Sequence, residues 1–156
     1  YFVDDALDMT IENNGEGSDA VFSAVAHSLV ANMETLVLQG SSDLAGTGNA
    51  LNNNIHGNSG ANTLNGGAGV DLLVGNAGND IFVFNVGQAD GDIVVDFAGN
   101  GVGAGDSLLL VGYGPGATFT QNDATHWQVN YHSGSSLEIV TFVNGAVIDP
   151  SDVLFS

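Results

Sequence analysis

Residues 48–83 read GNALNNNIH, GNSGANTLN, GGAGVDLLV and GNAGNDIFV, four consecutive nonapeptides of one pattern. Each begins with glycine and has asparagine or aspartate at its sixth position. Each also has a large apolar residue at its eighth position, namely Ile55, Leu64, Leu73 or Phe82. A repeat of fixed short length is typical of a solenoid, in which every repeat builds the same structural unit.

Each nonapeptide divides into a turn and a short strand. Its first six residues are mostly glycine, asparagine and aspartate, which tolerate left-handed backbone and form turns. Its last three residues form a strand with one apolar side chain facing inward. Two nonapeptides then make one coil, so each repeat stacks on the repeat after next. The pattern predicts an all-β protein with a parallel β-roll over residues 48–83.

The stacked turns predict calcium sites. The turn 48–53 would stack on 66–71, and 57–62 on 75–80. A calcium ion between two turns would meet backbone carbonyls of both and the sixth-position side chain, which suits a hard cation that takes about six to eight oxygen ligands. The predicted ligands are Asp71 and Asp80 above all, with oxygen atoms of Gly48, Asn53, Gly57, Asn62, Gly66, Ala68, Gly69, Gly75, Ala77 and Gly78.

Asparagine at two of the sixth positions predicts weak or partly formed sites, because Asn53 and Asn62 offer oxygen without charge. A metal-free solenoid and a flexible linker are the alternatives to calcium binding. A linker, however, would not place an apolar residue at every ninth position.

These nonapeptides resemble the RTX (hemolysin-type calcium-binding) repeat. Residues 66–74 match it without a departure. Residues 75–83 depart from it only at Asn76 and residues 57–65 at Asn58 and Asn62. Residues 48–56 depart at Asn49, Leu51 and Asn53. The resemblance implies a right-handed β-solenoid with bound Ca2+. It also implies that Asp90 or Asp92, in the acidic segment after the last repeat, completes a site above Asp71. A plain surface turn is the alternative there, and Asp96 and Asp106 are weaker candidates.

The composition restricts the partners of the chain. It has 156 residues with no Lys, Arg or Cys, and its 14 Asp and 4 Glu give a formal net charge of −18. This charge excludes electrostatic binding to nucleic acid or to an anionic membrane as a leading idea, and it makes cations the obvious counter-charge. No apolar run reaches the roughly 18 residues of a membrane-spanning helix. With 44% hydrophobic residues the chain is not a disordered acidic tail.

The repeats divide the chain into three predicted parts. Residues 1–47 are expected to be a degenerate solenoid spacer that continues an upstream repeat, residues 48–83 the calcium-binding β-roll, and residues 84–156 a C-terminal antiparallel β cap. The spacer has strand patterns at 20–25 and 34–39, and an acidic turn (Glu12, Glu16, Asp19) that is a further cation site or a solvated loop.

The cap is predicted from three apolar segments. Strand patterns lie at 107–111 and at 125–132, where Trp127, Val129 and Tyr131 share one face. Residues 136–148 predict a hairpin, because Asn144-Gly145 favours a tight turn. The last segment, 149–156, resembles the uncleaved signal of RTX proteins exported by type I secretion, with an edge strand as the alternative.

The sequence shows no motif for catalysis. It has no nucleophile elbow, no zinc-protease motif and no phosphate loop, so this piece is not expected to be an enzyme, although its parent protein could be one. The resemblance implies a calcium-dependent folding and secretion module of an exported Gram-negative bacterial protein. This module would be disordered without calcium, would be handled by type I secretion machinery and would fold outside the cell. The alternatives are a carbohydrate-binding accessory module, with a neutral glycan on Tyr113, Trp127 or Tyr131, and a structural solenoid segment of an adhesin.

Overall fold

The computed structural model describes residues 1–13, 15, 17–99, 101, 103–132 and 136–156. These residues form β-strands in two sheets, with no α-helix among them. The all-β prediction is therefore confirmed. The strands are β1 (Phe2–Val3), β2 (Ala20–Ser23), β3 (His27–Ser28), β4 (Thr35–Leu38), β5 (Ala45–Thr47), β6 (Asn54–His56), β7 (Thr63–Asn65), β8 (Leu72–Val74), β9 (Ile81–Asn85), β10 (Ile93–Val94), β11 (Ser107–Val111), β12 (Thr118–Gln121), β13 (His126–Tyr131), β14 (Ser136–Phe142) and β15 (Val153–Phe155).

Strands β2 to β11 alternate between the two sheets along the chain. One sheet has the order β1-β2-β4-β6-β8-β10-β14-β13-β12, and the other has the order β15-β11-β9-β7-β5-β3. Asn54 in β6 lies opposite Leu72 in β8, and Thr63 in β7 lies opposite Ile81 in β9, both in parallel register. Each offset equals two nonapeptides. Each repeat therefore stacks on the repeat after next, as the parallel β-roll requires.

The core of the roll lies between the two sheets. The eighth-position side chains Ile55, Leu64, Leu73 and Phe82 are fully buried there. Because side chains alternate across a strand, a three-residue strand sends only its middle side chain inward. The flanking coils repeat the arrangement with Val21, Leu36, Val94 and Leu108, which are also fully buried.

The spacer contributes strands to the same two sheets. The predicted strands at 20–25 and 34–39 appear as β2 and β4, which pair in parallel with each other. Between them β3 joins the second sheet. The predicted acidic cation site includes Glu16, which lies outside the described residues. Asp19 donates its backbone N–H to Glu34 Oε2 at 2.9 Å.

The predicted hairpin around Asn144-Gly145 is wrong. A turn is present, since Gly145 N–H donates to Phe142 O at 3.1 Å, but residues 146–148 form no strand. The reason is that β14 has no free edge: it pairs with β10 in parallel on one side and with β13 antiparallel on the other. The apolar segment after the turn instead buries Ala146 and Ile148 as irregular chain.

The cap combines antiparallel and parallel pairing. Strands β12, β13 and β14 form the predicted antiparallel unit at one end of the larger sheet. Residues 153–155 form β15, which pairs in parallel with β11 as the edge strand of the smaller sheet.

One buried carboxylate joins the roll to the cap. Glu138, in β14, accepts hydrogen bonds from Gly87 N at 2.6 Å and Ala89 N at 2.9 Å in the loop after β9. It also accepts from Tyr113 Oη and Tyr131 Oη, each at 2.8 Å. Burial, together with its hydrogen bond to this carboxylate, raises the pKa of Tyr113 well above its usual range. A buried charge with this many donors is stabilised by them, and removing it leaves all of them unpaired.

We therefore expect Glu138→Ala to lower the free energy of unfolding of the folded protein by about 3 kcal/mol or more. Tyr131→Phe, which removes a single donor to the same carboxylate, is expected to cost only about 1 kcal/mol. Urea unfolding followed by tyrosine and tryptophan fluorescence measures both variants. Equal effects of the two substitutions would contradict the role given to Glu138.

Candidate metal centre

The sixth-position residue of each repeat lies immediately before its strand, where it contacts the coil below. Asp71 Oδ1 accepts a hydrogen bond from Asn53 N, and Asp80 Oδ1 accepts one from Asn62 N, each at 2.7 Å. Both aspartates are fully buried. One carboxylate oxygen of each therefore fixes the stacking of successive turns.

The second oxygens of these carboxylates have no partner. Asp71 Oδ2 and Asp80 Oδ2 are buried and accept no hydrogen bond. Burial raises the pKa of Asp71, and burial together with the charges of Asp106 and Asp96 raises the pKa of Asp80 to about 6. A buried carboxylate oxygen without a donor is costly, and this chain has no Lys or Arg to compensate it. A hard cation is the group that these oxygens fit.

Glycine at the first position leaves room for these oxygens. A Cβ on Gly66 would collide with Asp71 Oδ2, and a Cβ on Gly75 would lie only 2.5 Å from Asp80 Oδ2. The carbonyl oxygens of Gly66 and Gly75 in turn lie against Gly48 and Gly57 of the turns below. Glycine is therefore required by close approach at both levels, of a carboxylate oxygen at Gly66 and Gly75 and of a carbonyl oxygen at Gly48 and Gly57.

The two aspartate turns share a backbone that the two asparagine turns lack. In the former, the second and fourth positions have positive φ: 94° at Gly67, 119° at Gly69, 65° at Asn76 and 136° at Gly78. In the turns 48–53 and 57–62 neither position has positive φ. Leu51 can therefore stand where the repeat pattern has glycine, because its turn does not use the left-handed conformation there.

The predicted asparagine ligands already have hydrogen-bond partners. Asn53 Oδ1 accepts from Asn49 N, and Asn62 Oδ1 accepts from Asn58 N, each at 2.7 Å. The amide nitrogen of Asn53 donates to Met33 O at 3.0 Å. Neither side chain presents an oxygen without a partner, in contrast to the two aspartates.

Of the two acids predicted above Asp71, the structure places Asp92 there. Asp92 Oδ1 accepts from Asp71 N at 2.9 Å, which repeats the contact that Asp71 makes with Asn53. Burial, with the nearby charge of Asp71 and others, raises the pKa of Asp92 to about 7. Asp90 is exposed, and its Oδ1 accepts from Ile139 N in the cap at 3.0 Å.

Asp106 has the same position above Asp80, although the sequence indicated it only weakly. Its Oδ1 accepts from Asp80 N and its Oδ2 from Ala98 N, each at 2.8 Å. The repeat spacing did not predict this position, because β11 pairs with β9 at an offset of 26 residues instead of 18. The signal that could have found it is an acid two residues before a large apolar residue, as in Asp106 and Leu108.

Asp96, after β10, contacts the turn 75–80, and the remaining predicted ligands lie in the repeat turns. Asp96 accepts from Gly75 N and Asn76 N, each at 2.8 Å. Ala68 donates its N–H to Asn49 O at 3.1 Å, and Gly69, Ala77 and Gly78 lie in exposed parts of the two aspartate turns. Within the described residues, no three His, Cys, Asp or Glu side chains group around one point that could hold a metal. A cation in these turns would thus draw on backbone carbonyls as well as on carboxylates.

The raised carboxyl pKa values predict an unusual pH dependence for the calcium-depleted protein. Asp80 and Asp92 have folded-state pKa values of about 6 and about 7, against about 3.9 in an unfolded chain. The folded state therefore binds more protons between about pH 4 and pH 7, and its stability must fall as the pH rises through that window. We expect the protein in chelator to show more β-sheet signal by circular dichroism at about pH 5, where these carboxyls are protonated, than at about pH 7.5, and saturating calcium should remove the difference. A β-sheet signal in chelator that is larger at about pH 7.5 than at about pH 5 would contradict the raised pKa values of these carboxyls.

Comparison with known proteins agrees with this geometry. Residues 47–82 match the family model of the RTX calcium-binding nonapeptide repeat, in four copies. A search of curated proteins finds no match to the chain. The matched residues include the four turns, the two aspartates whose Oδ2 atoms have no hydrogen-bond partner, the strands β6 to β8 and the start of β9. Residues 47–82 are RTX calcium-binding nonapeptide repeats, and the chain contains a calcium-binding module of the RTX type.

Proposed function

We propose that calcium binds in the turns 66–71 and 75–80 and that its binding drives the folding of this part of the roll. The observation that carries the proposal is the pair of buried Oδ2 atoms of Asp71 and Asp80, which have no hydrogen-bond partner. The first-position glycines beside them leave the space, and backbone carbonyl oxygens of the stacked turns would complete the set of oxygen ligands.

The charge balance supports a folding switch. The net charge of −18 opposes compaction, and so does the backbone entropy of 23 glycines. Each calcium ion brings two positive charges to buried carboxylates and links successive coils. A site that does not exist in the unfolded chain turns binding free energy into folding free energy. Extracellular calcium modules have dissociation constants of about 10⁻⁴–10⁻³ M, so this part of the roll would stay unfolded where calcium is scarce.

We extend the proposal to export: the chain crosses to the outside of a Gram-negative bacterium through type I secretion machinery while this part of the roll is unfolded, and this part folds there. The support is the likeness of residues 149–156 to the signal of such proteins. In the folded chain Leu154 and Phe155, on the edge strand β15, keep about half of their surface exposed, 52% and 46%. Among the described residues, no helix is long and apolar enough to cross a membrane.

The glycan alternative has weaker support. Tyr113 is buried and Tyr131 Oη donates to Glu138. Trp127 stacks on Phe119 with ring centroids 5.0 Å apart. All three rings are used in packing the cap.

A calcium titration followed by circular dichroism tests the folding switch. We expect the β-sheet signal to rise cooperatively at a calcium concentration of about 10⁻⁴–10⁻³ M. Asp71→Ala and Asp80→Ala should each raise the midpoint at least about tenfold, the ratio that corresponds to about 1.4 kcal/mol of binding free energy.

The matched control for the titration is Asp4→Ala. It removes the same charge from an exposed position outside the repeats, so its midpoint should stay close to that of the unchanged chain. If calcium alters neither the spectrum nor the midpoint of any variant, the folding switch is rejected.

Export is tested by expressing the chain beside a type I exporter in Gram-negative cells. A double substitution of Leu154 and Phe155 by serine should reduce the amount in the medium several-fold. Substituting the exposed Leu7 and Met9 by serine provides the control for lost apolar surface. Equal export of both variants would reject the role of residues 149–156 while leaving calcium binding untouched.

A further inference from the structure

The buried polar side chains change character at residue 71. Among the described residues before it, those that are buried are all neutral: Thr10, Ser23, Asn53, Asn58 and Asn62. From residue 71 onward, all of those described are acids: Asp71, Asp80, Asp92, Asp106, Glu138 and Asp152. The boundary falls inside the repeat block, between the second and third nonapeptides.

In the first asparagine turn, side-chain amides satisfy the carbonyls of the coil below. Asn49 Nδ2 donates to Val30 O at 2.7 Å and to Met33 O at 2.8 Å. Asn53 Nδ2 donates to the same Met33 O at 3.0 Å. Two amide groups thus converge on backbone oxygens across the stacking interface.

The second asparagine turn, which precedes a strand of the other sheet, repeats this arrangement. Asn58 Nδ2 donates to Gln39 O at 3.1 Å and to Ser42 O at 3.0 Å. Asn62 Nδ2 donates to Leu44 O at 3.3 Å. The second and sixth positions therefore act together in both turns, and these positions hold four of the departures from the RTX pattern.

The aspartate turns lack this set of donors. Gly67 has no side chain, and an ionised Asp71 or Asp80 can accept hydrogen bonds but cannot donate them. At the second position only Asn76 has a side-chain donor, and it donates to Gly57 O at 2.7 Å. An amide –NH₂ and a cation both satisfy oxygen atoms. Where the asparagine turns supply their own donors, the aspartate turns leave Oδ2 of Asp71 and Asp80 unpartnered.

We propose that the roll is composite: residues 20–65 form an amide-locked half that folds without calcium, and residues 66–111 form a half that folds only with it. This inference rests on the calcium-driven folding proposed above and restricts it to one part of the chain. In a solenoid each coil contacts only its neighbours, so one part can be folded while another is not. The amide-locked half contributes many apolar side chains to the core, and Val21, Met33, Leu36, Ile55 and Leu64 are fully buried in the complete fold.

Hydrogen exchange read by mass spectrometry, on the full chain in chelator and in calcium, tests the division. We expect peptides from residues 20–65 to be protected in both conditions, and peptides from 66–111 to be protected only in calcium. The ordered half would then serve as the template on which calcium-bound coils stack.

A nearly isosteric substitution tests the mechanism. Asn53→Asp removes the amide donor to Met33 O and adds a buried charge, so protection of residues 20–65 in chelator should fall at least about tenfold. Asn54→Asp is the matched control, because it makes the same chemical change at the next residue, which is exposed. It should leave protection close to that of the unchanged chain.

The outcomes separate the two proposals. If both halves are unprotected in chelator and protected in calcium, the composite roll is overturned and calcium-driven folding stands. If both are protected in chelator, or neither is protected in calcium, both proposals are overturned. If Asn53→Asp and Asn54→Asp behave alike, the amide lock is overturned even where the two halves differ.

Discussion

The structure depends on burying carboxylates in a chain that has no basic side chain except histidine. A buried carboxylate can be neutralised by a proton, hydrogen-bonded by the backbone or paired with a cation. Asp71 and Asp80 use the second means for one oxygen only, since each Oδ1 accepts from the coil below while each Oδ2 has no partner. Glu138, with four donors, shows the same problem solved inside the protein. The difference between these acids decides which part of the roll needs an ion.

The coils continue to stack in the same way after the regular nonapeptides of the sequence have ended. From β6 to β11 the coils keep an acid or amide directly before each strand, even where loops lengthen the connection from 18 residues between β6 and β8 to 21 between β8 and β10. The extra residues leave the sheets and the stacking contact stays, so Asp92 contacts Asp71 N as Asp71 contacts Asn53 N. This explains why the sequence predicts the roll well and Asp106 poorly. A fixed spacing locates a repeat, but a loop of unknown length conceals the next ladder position.

The cap likewise shows which features local sequence predicts and which depend on the assembled sheet. Alternation of Trp127, Val129 and Tyr131 predicted a strand, and β13 is there. The turn at Asn144-Gly145 also forms, yet no hairpin follows it, because both edges of β14 are already paired by β10 and β13. Local sequence carries turn and strand preference, whereas the occupancy of a strand edge is a property of the assembled sheet. The asparagine turns are a related case, since sequence indicated the oxygen of Asn53 and the structure uses its nitrogen as well.

Amide locks and cation sites can coexist in one roll because both leave the strands in the same register. Both asparagine turns lie between β5 and β7 along the chain, and both aspartate turns lie between β7 and β9. The two pairs of strands nevertheless have the same 18-residue offset. What differs is confined to the turn: the sign of φ at its second and fourth positions and the chemistry of its sixth side chain. A position can therefore change from one kind of turn to the other without altering the core between the sheets. The calcium dependence of such a module is then set turn by turn, by the few residues that decide whether an oxygen meets a donor or an ion.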